Sequence, residues 1–405
     1  MLDLPPCNNR QVDCLLEKGV VIPHPESVYV GGEVDPERIS GTGVTIYPGC
    51  RIYGAKTVLS AGVKLGAEGP ATVDDCRLGP RVELKGGYFR SSVFLEKANM
   101  GLGAQVREAC LLEEEANGGH CVGLKQTILM PFVTLGSLIN FCDCLMAGGT
   151  SRKDHSEVGS SYIHFNYTPD GDKTTPSLFG DVPRGVMLDR PAIFLGGQGG
   201  AVGPVRVGFG TVVAAGSVLR RDVLQDGQLV SVAPPPGLVR ERRVHAYGNL
   251  ARVLRNNFLY LANLAALEVW YTKIRRPFFA RQELGLLIYE GALEMFSLAK
   301  EERSRRLAAM AEKVPLSALQ GTDLREHVGS ACAVFDQAIE TAKGEEFQDV
   351  FWRAVGEPDD YLKAVQSLPP KASRLGVEWL QQIVAESMRR VDRLLPSFEL
   401  LNDSR

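Results

Sequence analysis

Several features that would point to a membrane, a secretory route or nucleic acid are missing from this 405-residue sequence. None of its apolar runs approaches the roughly 18 to 20 residues that a membrane-spanning helix needs, and the sequence does not open with a basic segment followed by an apolar run. An excess of charge of one sign is missing as well, because 45 basic and 48 acidic residues are intermixed. These absences predict a cytoplasmic protein with no nucleic-acid or membrane partner, whose partners are small molecules or proteins.

Paired cysteines are missing too. The nine cysteines are an odd number, and no CxxC motif occurs among them. The closest two, Cys142 and Cys144, are two residues apart, which places both on the same face of a strand. Several cysteines stand where the repeats described below carry small apolar residues, so we predict buried thiols and no metal site.

Glycine is scarce in the later part of the chain, and this divides the sequence in two. Of the 43 glycines, 35 lie in residues 1–245, whereas all three tryptophans lie beyond them. The composition changes at SVAPPPGLVRERRV, where three prolines and a glycine favour an extended connection. We therefore predict two domains, 1–240 and 241–405.

A six-residue repeat organises the first domain. Val207, Val213 and Leu219 are spaced by six, with small residues in matching positions between them. A period of six fits neither a helix of about 3.6 residues per turn nor one continuous strand. It fits short strands separated by tight corners, each hexad forming one side of a triangular prism. An earlier set keeps the same step: Ile46, Ile52 and Val58.

A slower repeat marks complete coils. Similar tripeptides begin at residues 76, 92, 110, 127 and 144, which are steps of 16, 18, 17 and 17. Three hexads make eighteen, so each step is close to one coil, and stacked coils bury an aliphatic column that no single repeat buries alone. An irregular glycine-rich sandwich is the alternative.

The second domain has the pattern of helices. Apolar residues recur at three- and four-residue spacing in NLARVLRNNFLYLANLAALEVWYTKI and in later segments, with prolines as breakers or first-turn residues. The pattern predicts an all-α bundle of about five or six helices. The later segments are 284–310, 324–342, 347–355 and 377–395.

The first domain resembles a known family. Its hexads, its closing VGFGTVVAAGSVLRRDV and its loop FNYTPDGDKTT together resemble the β-helix half of the bacterial bifunctional N-acetylglucosamine-1-phosphate uridyltransferase/glucosamine-1-phosphate acetyltransferase. The resemblance implies a mainly β fold, a left-handed parallel β-helix followed here by the helical domain. It also implies a homotrimer with acetyl-CoA or another acyl-CoA as co-substrate. A sugar phosphate or a nucleotide sugar of the UDP-N-acetylglucosamine type would bind in a cleft between subunits.

The family's uridyltransferase activity belongs to a nucleotidyltransferase domain with a glycine-rich nucleotide loop. No such loop precedes Gly19 in this sequence. We therefore expect this chain to lack the uridyltransferase activity.

The resemblance assigns binding roles to four polar residues. Asn166 and Tyr167 match the family's asparagine-tyrosine pair at the acyl-CoA and sugar site, in a loop that reaches towards a neighbouring subunit. Lys173 matches a lysine of that loop, and Lys125 matches a lysine that contacts the sugar nucleotide's phosphate. An ammonium group is a compact partner for phosphate, and an amide both donates to and accepts from a sugar. The alternatives are a turn-forming role for Asn166 and ordinary solvation for each lysine.

Two further features lie after the loop in the sequence: a pair of small residues and an insertion. Gly197 and Ala215 fall in the family's acyl-CoA channel region, although corners of a prism also need small residues. An insertion near Val182 to Arg190 interrupts the coils, and its Arg184 and Arg190 either close over an anionic ligand or fix the insertion to the surface.

The family's catalytic histidine does not carry over. Ser137 stands in its place, and Asn140, a candidate substrate-binding residue, stands where the family has a tyrosine. Acyl transfer to an amine requires removal of a proton, which histidine does well and serine does only when another group activates it. His155 and His164 are candidates for a displaced base, and we expect His164 to point outward beside the loop. The candidate catalytic residues are thus Ser137, His155 and His164, with a structural or solvated role as the alternative for both histidines.

Three functions remain open at this point. The first is an acyltransferase-like protein that uses acyl-CoA and a sugar phosphate or nucleotide sugar. The second is a non-catalytic nucleotide-sugar binding or scaffold protein that has lost the histidine at Ser137. The third is a prism that presents the helical domain to a partner.

Overall fold

The computed structural model describes residues 9–166, 168, 170–241, 244, 249–315 and 321–402. These residues form a parallel β-solenoid of about 11 turns followed by a helical region. A short helix, α1 (Asn9–Glu17), precedes the first coil and buries Val12 and Leu15. The predicted class, a mainly β parallel solenoid followed by helices, is confirmed, and the sandwich alternative is wrong.

Each coil contributes one short strand to each of three faces, here called A, B and C. Strands of consecutive coils pair in parallel and in register, as Val93 does with Leu111. Face A contains Thr45–Ile46, Lys64–Leu65, Glu83–Leu84, Asn99–Met100, Asn117–Gly118, Thr134–Leu135, Glu157–Val158, Phe194–Leu195, Val212–Val213 and Leu229–Val230. Face B contains Tyr29–Val30, Arg51–Tyr53, Ala71–Asp74, Gly87–Arg90, Ala104–Val106, Ile163–Phe165, Gly200–Val202 and Val218–Leu219. Face C contains Val58–Leu59, Arg77–Leu78, Ser92–Phe94, Cys110–Leu112, Ser177–Phe179 and Arg206–Val207.

Two longer strands and one hairpin complete the solenoid. The strands Gly123–Leu129 and Asn140–Met146 turn the corner between faces B and C and contribute to both. Between faces C and A of one coil, Gly149–Ser151 and Asp154–His155 form an antiparallel hairpin.

The interior of the prism is the aliphatic column that the repeats predict. Val207, Val213 and Leu219 lie on faces C, A and B, and none exposes more than 3% of its surface. The six-residue repeat therefore lines one interior, as predicted. The coil-length repeat is confirmed by register, because its tripeptides stack on face C. Their stacked third residues are Leu78, Phe94, Leu112, Leu129 and Met146.

The predicted insertion holds a four-residue helix, α2 (Val182–Gly185), and the later helices form the C-terminal domain. The helix predicted over 324–342 ends early, at Ala333, and continues as a 3₁₀ turn. The helix predicted over 377–395 begins at Pro370, because proline is suited to a first helical turn. The helices are α3 (Leu250–Trp270), α4 (Arg276–Ala280), α5 (Gly285–Lys313), α6 (Asp323–Ala333), α7 (Ala342–Val355), α8 (Tyr361–Gln366) and α9 (Pro370–Leu394). The last strand ends at Val230 and α3 begins at Leu250; the boundary at 240/241 stays a prediction.

The helical domain packs on face C of the solenoid. Helix α5 contacts the strands that begin at Arg77, Ser92 and Cys110, and α3 contacts Ser177–Phe179. The approach is close, since a Cβ added to Gly291 of α5 would lie 2.5 Å from Cδ of Arg77. Residues of face C that would face water on a bare prism, such as Val93 and Leu111, are consequently fully buried.

Buried ion pairs anchor the helices at both edges of face C. At the edge with face A, Arg275 contacts Glu113 at 3.0 Å and also pairs with Glu114. At the edge with face B, Arg303 contacts Asp143 at 3.2 Å. Burial raises the pKa of Glu114 to about 7 despite the nearby guanidinium. Because breaking such a pair leaves an unpaired buried charge, these contacts fix where the helical domain sits.

Candidate functional site

The edge between faces A and B carries the predicted catalytic position. In successive coils, face A ends at a glycine, and the next residue turns the corner: Gly119 precedes His120, and Gly136 precedes Ser137. A Cβ on Gly119 would lie 2.7 Å from Oγ of Ser137, and one on Gly136 would lie 2.8 Å from the backbone nitrogen of Ser160. Because these glycines have no side chain, the corner residues of neighbouring coils can contact each other.

His120 and Ser137 are hydrogen-bonded partners on this edge. Oγ of Ser137 lies 2.7 Å from Nδ1 of His120. The backbone N–H of Ser137 donates to Oγ of Ser160 at 3.1 Å, so three corner residues of three coils are linked. With the ring proton on Nε2, Nδ1 accepts the hydroxyl proton of Ser137.

Sequence reasoning missed His120. The two residues are 17 positions apart, which is one coil in the slower repeat. Aligning the sequence coil by coil would have placed Gly119-His120 directly beneath Gly136-Ser137. The coil-length repeat in the sequence was therefore enough to place His120 beside Ser137.

Gly197 and Ala215 continue the same edge beyond Ser160. The backbone N–H of Gln198 donates to the carbonyl of Ser160 at 2.8 Å, and that of Gly216 donates to the carbonyl of Gly197 at 3.0 Å. A Cβ on Gly196 would clash with the backbone nitrogen of Ala215. The structure thus brings together Ser137, Gly197 and Ala215, which sequence reasoning assigned separately to catalysis and to acyl-CoA.

Two predicted substrate contacts lie on face B. Asn140 is at the end of the face next to this edge, whereas Lys125 is at the end next to face C. Asn140 is exposed, and its Oδ1 accepts from the thiol of Cys142 at 3.0 Å. Lys125, one coil earlier, contacts Glu108 at 3.1 Å, and each side chain is 39% exposed. Burial opposes ionisation of Glu108, but the hydrogen bond and charge of Lys125 outweigh it and lower the pKa of that carboxyl. A phosphate at Lys125 would therefore compete with Glu108.

The polar loop lies at a different edge, between faces B and C. Asn166 donates from Nδ2 to Asp143 at 3.3 Å, and its carbonyl accepts from Thr175 Oγ1 at 3.3 Å. Tyr167 lies outside the described residues. The carbonyl of Lys173 accepts from Arg303 of α5 at 2.9 Å. The described part of the loop is thus held by its own chain.

Further contacts join this loop to the helical domain. Asn257 of α3 donates to the carbonyl of Thr174 at 3.1 Å, and Lys313 of α5 donates to that of Asp170 at 2.7 Å. From the pairing of Gly123 with Asn140 and of Asn140 with Ile163, Asn166 lies two coils beyond Lys125. With strands about 4.8 Å apart, the two backbones are separated by roughly 10 Å along the prism axis. Lys125 and Asn166 therefore lie near one edge, away from Ser137.

The expectation that His164 points outward is wrong. Its side chain is only 1% exposed, and Nε2 lies 2.7 Å from Oγ of Ser177 inside the prism. Because strand residues alternate, the outward positions belong to its neighbours Ile163 and Phe165. Burial lowers the pKa of His164 to about 4, so the ring is neutral near pH 7. An enclosed imidazole does not reach a substrate on the surface.

His155 lies on the hairpin and not on the edge. Its Nδ1 lies 3.0 Å from the carbonyl oxygen of Arg152, and its Nε2 lies 3.7 Å from Oε2 of Glu157. These contacts stabilise the hairpin against face A. A catalytic role for His155 stays a prediction.

The insertion arginines are paired with carboxylates of this chain. Arg184 contacts Asp181 at 2.7 Å and Asp226 at 2.6 Å. Arg190 contacts Asp189 at 2.7 Å. The contact with Asp226 joins Arg184 to a residue outside the insertion, whereas Arg190 and Asp189 are neighbours within it. Both roles considered for these arginines stay predictions.

The described cysteines are unpaired thiols, and six of the eight are buried. Burial raises the pKa of Cys76 and of Cys142 to about 12, so both stay protonated. Within the described ranges no cluster of histidine, cysteine and carboxylate side chains has the geometry of a metal site. Within the same ranges, no helix combines the length and apolarity needed to cross a bilayer.

The sequence was compared with protein-family models and with curated proteins. No protein-family model matches the chain. Part of the chain is similar to the bifunctional protein GlmU. The identity to GlmU of Thermotoga maritima is 28% over 215 residues, 53% of this chain and 42% of that protein. The identity to GlmU of Nitratidesulfovibrio vulgaris is 28% over 233 residues, 56% of this chain and 45% of that protein.

The chain spans less than half the length of these two relatives. This similarity and the parallel solenoid together confirm the resemblance predicted from the sequence. Among solved structures, a UDP-N-acetylglucosamine acyltransferase from Campylobacter jejuni matches at 15% identity and a TM-score of 0.14, over 51% of this chain and 67% of that one. LpxA from Moraxella catarrhalis matches at 12% identity and a TM-score of 0.15, over 50% and 66%.

Proposed function

We propose that the protein is acyltransferase-like and binds an acyl-CoA and a sugar phosphate or nucleotide sugar of the UDP-N-acetylglucosamine type at the A/B edge. The observation that carries the proposal is one column of corner residues. His120, Ser137 and Ser160 are linked by hydrogen bonds, and Gly197 and Ala215 continue the column. Positions that the family resemblance assigns to catalysis and to acyl-CoA thus share one edge.

The two open faces support a cleft between subunits of a homotrimer. Face B exposes Ile163, Phe165 and Val202, and face A exposes Phe194 and Val212, each between 38% and 43% exposed. A cyclic trimer joins two different surfaces of neighbouring copies, so it needs two such patches. The A/B edge lies between the patches, whereas face C is covered by helices. A trimer built through these patches would place a neighbour beside Ser137.

The side chains of face B suit a sugar phosphate. Asn140 offers an amide to sugar hydroxyls. Lys125 on face B would exchange Glu108 for a phosphate, which is a stronger acceptor for an ammonium group. The helical domain would position the loop that holds Asn166 and Lys173.

Calorimetric titration of the full chain with acetyl-CoA and with UDP-N-acetylglucosamine tests this proposal. We expect both to bind, and we expect Lys125→Ala to weaken the UDP-sugar by about tenfold, the equivalent of about 1.4 kcal/mol. Lys363→Ala is the matched control, because Lys363 is an exposed lysine of α8. Absence of acetyl-CoA binding would contradict the proposal.

A non-catalytic nucleotide-sugar binding or scaffold protein is the second candidate. It is favoured by Asn166, whose amide is already engaged by Asp143 at 3.3 Å. Binding of the UDP-sugar without any binding of acetyl-CoA would select this candidate over the first.

A further inference from the structure

We propose that Ser137 is a nucleophile that carries the acyl group as an ester on Oγ, with His120 as its general base. This inference rests on the proposed function, since it assigns the chemistry of the same edge. It differs from direct transfer, in which a base only deprotonates the acceptor. The acyl group would instead pass from CoA to the protein and then to the acceptor.

The geometry places the two groups as a nucleophile and base require. Oγ of Ser137 and Nδ1 of His120 are 2.7 Å apart, within the range of a working pair. His120 is exposed and Ser137 is half-buried, so both are open to a ligand. The pair lies on a rigid corner, because the backbone N–H of Leu138 donates to the carbonyl of His120 at 3.0 Å. Serine and histidine are thus held by adjacent coils of the prism.

A neighbouring hydroxyl is placed to assist. Oγ of Ser160 accepts from the backbone N–H of Ser137 at 3.1 Å, which fixes this hydroxyl beside the nucleophile. The O–H of Ser160 can then donate to the oxyanion that forms during acyl transfer. Ser160 is a positioning and stabilising residue in this scheme.

The first step transfers the acyl group to the protein. Oγ of Ser137 attacks the thioester carbonyl carbon while Nδ1 of His120 takes the hydroxyl proton. The C–S bond then breaks, and the proton on His120 passes to the leaving thiolate to give free CoA. The product is an ester at Ser137, and no oxidant or reductant is needed.

The second step releases the acyl group. An amine or hydroxyl of the acceptor attacks the ester carbon, and His120 takes the acceptor's proton. The C–Oγ bond breaks, and the proton returns to Oγ of Ser137. Water in place of the acceptor would give slow hydrolysis by the same route.

Acid quenching and mass spectrometry of the full chain test the proposal. The wild type is mixed with acetyl-CoA and, separately, with p-nitrophenyl acetate, then digested to locate any acetyl ester. We expect the ester on Ser137 and a fall in its rate of formation of about a hundredfold or more in His120→Gln. Ser137→Ala should show none. His327→Gln is the control, since His327 is an exposed histidine of α6.

The outcomes separate this inference from the proposed function. Turnover of acetyl-CoA that persists in Ser137→Ala would overturn the covalent route and leave the proposed function standing. If acetyl-CoA does not bind, the proposed function fails. The reaction with p-nitrophenyl acetate still tests whether Ser137 is a nucleophile. Acetylation of Ser137 that depends on His120 supports it, and an unmodified or His120-independent Ser137 overturns it. Circular dichroism of each variant shows that the fold is kept.

Discussion

Arg303 of α5 contacts Asp143 at a corner of the solenoid, 3.2 Å away, and the same carboxylate accepts from Asn166 at 3.3 Å. Both charged side chains are buried, with 2% and 6% of their surface exposed. The contact therefore joins the helical domain to the polar loop through one carboxylate. It gives the helices a physical role, which is to hold a loop of the solenoid in place.

Removing Arg303 should destabilise the protein strongly. Arg303→Met leaves the buried Asp143 without its charged partner, which costs about 3 to 5 kcal/mol in comparable buried pairs. Chemical denaturation measures the change in unfolding free energy. The matched control is Arg305→Met, since Arg305 is 65% exposed. Equal stability of the two variants would show that the Asp143 contact does not anchor the domain.

His164 should make stability depend on pH in acid. Its folded-state pKa is about 4, below the ordinary value of 6.5, so the unfolded chain binds the proton more readily. This stability is fully present above pH 6.5 and is lost as pH falls towards 4, on the order of 3 kcal/mol in all. Denaturation from pH 7 to pH 4 should show this loss in the wild type relative to His164→Gln. Parallel pH profiles would mean that His164 titrates as an ordinary surface histidine.

The thiols should differ sharply in reactivity. Cys121 is exposed and follows His120, whereas Cys76 is buried with its pKa raised to about 12 by that burial. Because the thiolate is the reactive form, iodoacetamide should alkylate Cys121 in the native protein and Cys76 only after unfolding. Peptide mapping of native and urea-treated samples measures both. Comparable native alkylation at Cys76 would place it at the surface and contradict the interior column.

Both open faces, A and B, should be necessary for the trimer. A charge at Phe165 on face B or at Phe194 on face A would be buried in the proposed cyclic contact, so each glutamate variant should lower the oligomer mass. Sedimentation equilibrium measures that mass. Val239→Glu is the control, because Val239 is fully exposed in the connecting segment. A monomeric wild type, or variants that keep its mass, would remove the inter-subunit cleft.

The interior of the solenoid was predictable because a prism allows few positions whose side chains point inward. A side chain at every sixth position must point inward to be buried, so Val207, Val213 and Leu219 followed from spacing alone. His164 was misplaced because the loop obscures the parity of its strand: only pairing with Asn140 shows that Ile163 faces out. The error was one residue in register, which reverses every side chain of a strand.

The site was only partly predictable. Ser137 came from the family resemblance, but its partner His120 lies one coil away and is visible only when coils are aligned. The docking of the loop on Arg303 could not be predicted, because a contact between residues 143 and 303 leaves no periodic signal. Long-range polar contacts depend on how the two domains meet.

Titration of acetyl-CoA into the wild type, Ser160→Trp and Ser297→Trp measures whether the ligand binds along the A/B edge. An indole at Ser160 would fill the corner, whereas Ser297 is exposed on α5. We expect binding to the wild type and to Ser297→Trp, with at least about tenfold weaker binding to Ser160→Trp. Equal affinity for all three proteins, or no affinity in any of them, would contradict it.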